Sequence, residues 1–194
     1  MTGASPREKL LAAVVDVALA DGIADKSLRA IAGAAGTSHR MLIHHFGSRE
    51  ELLVEVIRAV ETRQRAVLAE LARTGGEEPG APEMRFWEHL RSPELAPQER
   101  LFFEVYGQAL QGRAWARPLL DGIVENWVGP VAEILEADGV PPETARTIAR
   151  LQVAVGRGLL LDVLATGDGH EVDAAMHCFL EMLSAHLGGL ASPR

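Results

Sequence analysis

The chain has 194 residues, of which 47% are hydrophobic and 24% are charged, as in an ordinary soluble globular protein. No apolar run approaches the ~20 residues that span a bilayer, which excludes a membrane-embedded protein. The N-terminus has no signal-peptide core, so we expect a cytoplasmic protein. Cys178 is the single cysteine, which excludes an intrachain disulfide. We expect a reduced, partly buried thiol, with a bridge to a second chain as the alternative.

The net charge of −8 is distributed unevenly along the chain. Residues 1–65 hold nine Lys/Arg and eight Asp/Glu, a net charge of +1. Residues 66–194 hold ten Lys/Arg and nineteen Asp/Glu, a net charge of −9. Only the N-terminal part is therefore suited to approach a polyanion.

Apolar residues recur at helical spacing along the chain, and no segment has the pattern of a strand or of an internal repeat. The pattern predicts an all-α protein with nine helices. In chain order they cover residues 6–21, 27–35, 38–45, 48–73, 83–91, 97–112, 118–137, 142–165 and 170–187. Pro130 is expected to kink the seventh helix, and Gly188 with Gly189 is expected to end the last. Residues 75–82, rich in Gly and Pro, are predicted to form a loop.

The second and third predicted helices are typical of a helix-turn-helix. Gly36 can adopt the left-handed conformation that ends a helix, and Ser38 can cap the next one. Leu42 and Phe46 then share one face of that helix. A helix-turn-helix places its second helix in the major groove of DNA.

Residues 27–53 resemble the DNA-binding domain of the TetR family of bacterial transcriptional regulators. The matching residues are Ser27, Leu28, Ile31, Ala32, Ala35, Gly36, Ser38, Leu42, His45, Phe46, Ser48, Glu51, Leu52 and Leu53. The resemblance implies a nine-helix, two-domain architecture. Residues 1–50 are expected to form a three-helix helix-turn-helix DNA-binding domain, and residues 51–194 a helical ligand-binding and dimerisation domain.

Outward side chains of the third predicted helix are the candidates for reading DNA. Because Leu42 and Phe46 are expected to face the core, the outward positions are His39, Arg40, Ile43 and His44. Arg40 can bond O6 and N7 of a guanine, and Met41 or Ile43 can contact a thymine methyl. The alternative is that these are solvated residues on the surface of a three-helix bundle.

The family resemblance assigns ten residues to DNA contact. Positions that usually face DNA are matched by Thr37, Ser38, His39, Arg40, Met41 and His44, and phosphate-contacting positions by Ser27, Arg29, Ser48 and Arg49. Physically, helix N-termini present free N–H groups to an anion. Arg29, Arg40 and Arg49 are expected to share one face. Ile43 departs from the family, which usually has a tyrosine there whose hydroxyl reaches a phosphate, and Ile43 cannot form that bond.

The histidines at positions 39, 44 and 45 also raise the question of a metal site. His44 and His45 point to different sides of a helix, and no ligand at i, i+4 with a nearby carboxylate completes a site. The sequence therefore predicts a packing role for His45, and neither a metal nor a cofactor.

Seven of the nine aromatic residues lie between residues 86 and 127. Such a cluster can line an apolar cavity for a small molecule, and the family resemblance favours this interpretation. The candidate ligand-binding residues are Phe86, Trp87, Phe102, Phe103, Tyr106 and Trp127. The alternative is that they are ordinary core residues.

The last two predicted helices have more apolar surface than one chain can cover. Residues 151–165 are apolar nearly all round, and the final helix carries an apolar stripe. The predicted interface residues are Leu151, Val155, Leu159, Met176, Phe179 and Leu183. A two-fold homodimer also suits a palindromic DNA site, whereas a monomer with core helices is the alternative.

The resemblance implies a ligand-responsive transcriptional regulator, most simply a repressor, and not an enzyme. A homodimer is expected to bind a palindromic double-stranded operator until a small apolar or amphipathic effector enters the C-terminal domain. The helix over residues 48–73 is expected to transmit the change. The alternatives are a helical enzyme acting on a small molecule and a protein-interaction module without operator binding. Against the enzyme, no nucleophile–base pair or acid pair is evident.

Overall fold

The computed structural model describes residues 4–74 and 81–191, and within these ranges it contains nine α-helices, one short 3-10 helix and no strand. The helices are α1 (Pro6–Asp21), α2 (Leu28–Ala34), α3 (His39–Phe46), α4 (Arg49–Thr74), α5 (Ala81–Leu90), α6 (Ala96–Leu110), α7 (Glu125–Ala137), α8 (Pro142–Thr166) and α9 (Gly169–Ala191). The prediction of an all-α protein with nine helices is confirmed. None of these helices is long and apolar enough to cross a membrane.

The start of α1 is fixed by a reciprocal pair of hydrogen bonds. The Glu8 backbone N–H donates to Ser5 Oγ at 3.2 Å, and the Ser5 backbone N–H donates to the Glu8 carboxylate at 2.7 Å. Pro6 occupies the first helical position, where a missing N–H costs nothing. The Ser5 backbone N–H and then its hydroxyl stabilise the charged carboxylate, which lowers the pKa of Glu8.

The predicted helix over residues 118–137 is wrong in its first seven residues, about two turns. The structure has a 3-10 helix at Arg117–Leu120, and α7 begins only at Glu125. Gly122 lies between them with a φ of +74°, a conformation that no right-handed helix can include. Pro130 lies inside α7 without ending it.

Two other predicted boundaries also differ from the structure. Gly188 and Gly189 do not end the last helix, because α9 continues through them to Ala191. Glycine weakens a helix interior by only ~1 kcal/mol relative to alanine, which is too little to terminate a packed helix. The predicted loop is two residues too long, since α5 begins at Ala81. Residues 75–80 of that loop lie outside the described residues.

The first of two compact units comprises the described residues of Met1–Arg63 and Pro93–Asp121. Its core is built from α1 to α4 and α6. The fully buried side chains there include Val14, Val15, Ile23, Ile31, Leu42, Leu52, Val56 and Val105. Within this unit α6 contacts α1, and the buried Gln98 side chain donates from Nε2 to the Ala18 carbonyl at 2.7 Å.

The second unit comprises the described residues of Gln64–Ser92 and Gly122–Arg194. Its core lies between α7 and α8, and the buried residues there are Val128, Ala132, Leu135, Ala145, Ile148 and Ala149. The boundary between these two packing units falls within α4, after residue 63. The assignment of residues 1–50 to DNA binding and 51–194 to ligand binding and dimerisation is a functional division, and it stays a prediction.

Candidate nucleic-acid interface and effector-binding residues

Local capping sets the geometry of the turn between α2 and α3. Gly36 has a φ of +65°, and the Thr37 backbone N–H donates to the Ala32 carbonyl at 2.9 Å. Ser38 Oγ then accepts from the Met41 backbone N–H at 3.2 Å. The prediction that Gly36 ends one helix in the left-handed conformation and Ser38 caps the next is therefore confirmed.

The inner face of α3 belongs to the core of the first unit. Leu42 has no exposed surface and Phe46 is buried, as the i, i+4 spacing predicts. They join the buried Leu28, Ile31 and Ala32 of α2. This packing fixes which residues of α3 point away from the protein.

The outer face of α3 presents a mixed set of side chains to solvent. His39, Arg40, Met41, Ile43 and His44 are all exposed, and Met41 and Ile43 are each 41% exposed. The Arg40 guanidinium can donate to base edges, and the neighbouring apolar side chains can contact a thymine methyl.

Three serines near the predicted DNA-facing surface each cap a helix start. Ser27 Oγ accepts from the Ala30 backbone N–H at 3.2 Å, and Ser48 Oγ accepts from the Glu51 backbone N–H at 3.1 Å. Ser38 Oγ does the same at the start of α3. Since each hydroxyl uses its oxygen as an acceptor, its O–H can still donate to a phosphate oxygen.

Arg49 closes the loop between α1 and α2. Its Nε donates to the Lys26 carbonyl at 2.9 Å, and its terminal nitrogen donates to the Ala24 carbonyl. The side chain is half-buried, whereas Arg29 and Arg40 are exposed. The structure thus gives Arg49 a structural role that the sequence did not reveal, and its predicted phosphate contact stays a prediction.

Arg7 holds the C-terminal end of α3. Its guanidinium lies 5.0 Å from the centroid of the Phe46 ring, donates from Nε to the His45 carbonyl at 3.4 Å, and pairs with the Glu55 carboxylate at 2.7 Å. Sequence reasoning missed this residue because its partners are 38 to 48 positions away in the chain. No local pattern signals such a contact.

His45 has the packing role predicted for it. It is half-buried, and its ring centroid lies 4.9 Å from that of His44 and 6.3 Å from that of Phe46. Across residues 4–74 and 81–191, no group of three or more His, Cys, Asp or Glu side chains is placed to hold a metal ion.

Three of the predicted effector-binding residues lie together on α6 in the first unit. Phe102 is buried, and its ring meets Phe103 edge-on at 5.2 Å and stacks on Tyr106 at 5.4 Å. Phe103 and Tyr106 are half-buried. The same helix carries Gln98, which bonds to α1.

The other three predicted effector-binding residues lie in the second unit. The ring centroids of Phe86 and Trp127 are 5.7 Å apart, and the Arg65 guanidinium lies 5.7 Å from the Trp127 ring. Trp87 is buried and donates from Nε1 to Asp173 Oδ1 at 2.8 Å, which makes it a core residue. A ligand-binding role for the six aromatic residues stays a prediction.

The predicted interface residues of α8 and α9 differ widely in exposure. Leu151 is 52% exposed, whereas Met176 is 6% exposed and therefore lies in the core of its own chain. Val155, Leu159, Phe179 and Leu183 are half-buried, and Leu183 packs against the core between α7 and α8.

Further apolar side chains on these helices are exposed although the sequence did not single them out. Leu161 is 50% exposed and Met182 is 60% exposed. The expectation of a partly buried Cys178 is wrong, because its thiol is free and exposed. It lies on the side of α9 turned away from the core residues Val172 and Met176.

Comparisons with known proteins identify the class. Residues 10–56 match the family model for bacterial regulatory proteins of the tetR family. No curated protein sequence matches the chain. Among solved structures, a TetR transcriptional regulator from Legionella pneumophila is 20% identical with a TM-score of 0.64, covering 94% of this chain and 99% of that chain.

Two further solved structures were determined with small molecules. The multidrug binding protein EbrR, complexed with imidazole, is 26% identical with a TM-score of 0.63, covering 93% of this chain and 90% of that chain. FadR of Thermus thermophilus, a TetR-family repressor in complex with lauroyl-CoA, is 18% identical with a TM-score of 0.63, covering 97% of this chain and 96% of that chain.

A capped helix-turn-helix in an all-α chain of this architecture defines a DNA-binding transcriptional regulator. Residues 10–56 carry the TetR-family DNA-binding domain, and the chain as a whole has the fold of TetR-family regulators. The matched family and these structural neighbours are transcriptional regulators and not enzymes, which weighs against the helical-enzyme alternative.

Proposed function

We propose that the protein is a cytoplasmic, homodimeric repressor that binds a palindromic operator and is released by a small apolar or amphipathic effector. The observation that carries this proposal is the outer face of α3. There, Arg40 lies between exposed histidines on a helix whose orientation is fixed by a buried inner face. A single exposed guanidinium in the first turn of a helix is well placed for the O6 and N7 atoms of guanine.

DNA contacts in the proposed complex fall into two classes. The base-reading residues are Arg40 with His39 and His44, and Met41 beside them adds apolar contact without selecting a base. Phosphate contacts come from Thr37 and from the capping residues Ser27, Ser38 and Ser48 with Arg29 and Arg49. The first class determines sequence preference, and the second determines position and salt dependence.

The exposed apolar surface of α8 and α9 supports a homodimer. Leu151, Ala154, Gly158 and Leu161 are exposed and follow each other at intervals of three and four residues, so they form one stripe along α8. Small residues between two leucines allow a second helix to approach closely. With Met182 on α9, this stripe is the proposed two-fold interface, and Leu159 and Phe179 lie at its edge.

Release by an effector requires coupling between the effector-binding residues and the DNA-binding residues. Two helices are suited to transmit it within the first unit. The first half of α4 follows α3 directly, and α6 carries Phe102, Phe103 and Tyr106 as well as the Gln98 bond to the Ala18 carbonyl. An effector that moves α6 would change the position of α1, and the coupling is reciprocal.

The apolar and aromatic character of the proposed effector-binding residues favours an apolar or amphipathic molecule. Phe86 and the buried Trp127 bring two aromatic rings together, and Arg65 adds a positive charge over the Trp127 ring. The structural neighbours include one solved with imidazole and one solved with lauroyl-CoA.

The test of the proposed function is a selection of bound duplexes from random DNA, followed by gel shifts. The Arg40→Ala variant should lose preference at one base per half-site and bind ~1–3 kcal/mol more weakly per lost bidentate contact. Arg113→Ala, which removes an exposed arginine outside the helix-turn-helix, is the matched control and should bind normally. Equal loss of affinity for operator and random DNA in the Arg40 variant would contradict base reading.

A further inference from the structure

Helix α3 exposes two large apolar side chains that do not pack within its own unit. Leu42 and Phe46 fill the core side of α3, whereas Met41 and Ile43 remain 41% exposed. On a helix of eight residues, these are a substantial part of the outer surface. Burying such apolar surface against a partner lowers the free energy of the system, because water is released from it.

The helical geometry places Ile43 beside Arg40. With 3.6 residues per turn, Arg40 and His44 point most directly away from the buried pair, and Ile43 lies on the flank next to Arg40. The two residues are an i, i+3 pair, so Ile43 is displaced along the helix axis by ~4.5 Å. Successive bases of one DNA strand are ~3.4 Å apart, so this displacement corresponds to about one base step.

The chemistry of the major groove offers one apolar partner at that position. Thymine presents a C5-methyl group there, and no other standard base does. Ile43 has no polar side-chain atom, and its β-branch restricts χ1, so holding it against a methyl group costs little rotamer freedom. Resting on the proposed function, we propose that Ile43 reads the thymine methyl in the base step next to the one contacted by Arg40.

Met41 provides the matched comparison. It is as exposed as Ile43 but lies on the opposite flank of the outer face, next to His44. Its unbranched side chain has more rotatable bonds, so it adapts to many surfaces instead of selecting one. Specific reading of a methyl group is therefore assigned to Ile43 alone.

The experiment uses the full chain and an operator selected from random duplex DNA. Each half-site thymine is replaced in turn by deoxyuridine, which removes only the methyl group, and affinity is measured by gel shift. At one thymine position per half-site, the affinity should fall about fourfold, and about fifteenfold when both half-sites are changed. The other thymine positions should tolerate the replacement.

Variants then assign the effect to a residue. Ile43→Ala should bind the thymine and deoxyuridine duplexes equally, Ile43→Val should retain part of the difference, and Met41→Ala should retain all of it. Since Ile43 is well exposed, its variants should keep the far-ultraviolet circular dichroism of the unmodified protein.

Two results would overturn the inference while leaving the proposed function intact. One is sequence-specific binding that does not distinguish thymine from deoxyuridine at any position. The other is a thymine preference that survives unchanged in Ile43→Ala. Failure to select any preferred sequence would overturn both the inference and the proposed function.

Discussion

Replacing Arg49 distinguishes a structural role from a phosphate contact. Its guanidinium donates to the carbonyls of Lys26 and Ala24, which closes the loop between α1 and α2. Hydrogen bonds to a charged group contribute ~1.5–3 kcal/mol each, and partial exposure reduces the total here to about 2–3 kcal/mol. For a chain of this size, each kcal/mol lowers the melting temperature by about 2–4 °C. Arg49→Ala should therefore melt roughly 4–12 °C lower.

The assay is thermal unfolding followed by helical circular dichroism, together with the salt dependence of DNA affinity. Arg49→Lys keeps the charge but not the planar, forked donor geometry, so it should lose most of the same stability while keeping its attraction for phosphate. Arg29→Ala is the control, because Arg29 is exposed on α2. It should leave the melting temperature unchanged and flatten the salt slope by about one unit. An Arg49→Ala protein with normal stability and a flatter salt slope would refute the structural assignment.

Four other predictions test separate parts of the molecule. Ser38→Ala should cost ~1 kcal/mol in unfolding free energy because α3 loses its cap, and Ser38→Asp should restore it in a urea titration. Leu151→Glu or Met182→Glu should yield monomers in light scattering, since a charge would enter a dry interface, and an unaltered dimer would contradict the proposed face. Asp173→Ala should cost about 2–3 kcal/mol, because the buried Trp87 indole N–H loses its acceptor and Arg91 loses the carboxylate that lies 2.6 Å from its Nε, and Asp173→Asn should cost less. The pKa of Glu8 is lowered in the folded state, so its stabilising effect is present above the pKa of the unfolded chain and is lost as pH falls through the folded pKa. Glu8→Gln should therefore flatten the decline of stability below pH ~4.3, and an unchanged acid profile would refute this cause.

Local features of the sequence predicted the elements that position the candidate DNA interface. Gly36 and Ser38 act on backbone groups within a few residues, so their roles are encoded in short patterns. Leu42 and Phe46 follow from helical periodicity, which is equally local. The same reasoning failed around Gly122, because the apolar pattern continues across a glycine whose backbone conformation breaks the helix.

Contacts between distant segments could not be predicted from such patterns. Nothing near Arg49 in sequence indicates that two carbonyls 23 and 25 positions earlier accept its hydrogen bonds. Gln98 reaches α1 across 80 positions, and Trp87 reaches Asp173 across 86. Periodicity also could not separate the face of α9 that packs in its own chain, which includes Met176, from the exposed face.

Sequence-specific DNA binding is the central claim, and one ratio of affinities tests it most directly. The affinity of the full chain for its best selected duplex is compared with that for a scrambled duplex of equal composition and length, at the same physiological salt concentration. Specific regulators bind their sites ~10³–10⁷ times more tightly than non-specific DNA, so the ratio should be at least ~10³. A ratio near one at every salt concentration would contradict the assignment of α3 as a recognition helix.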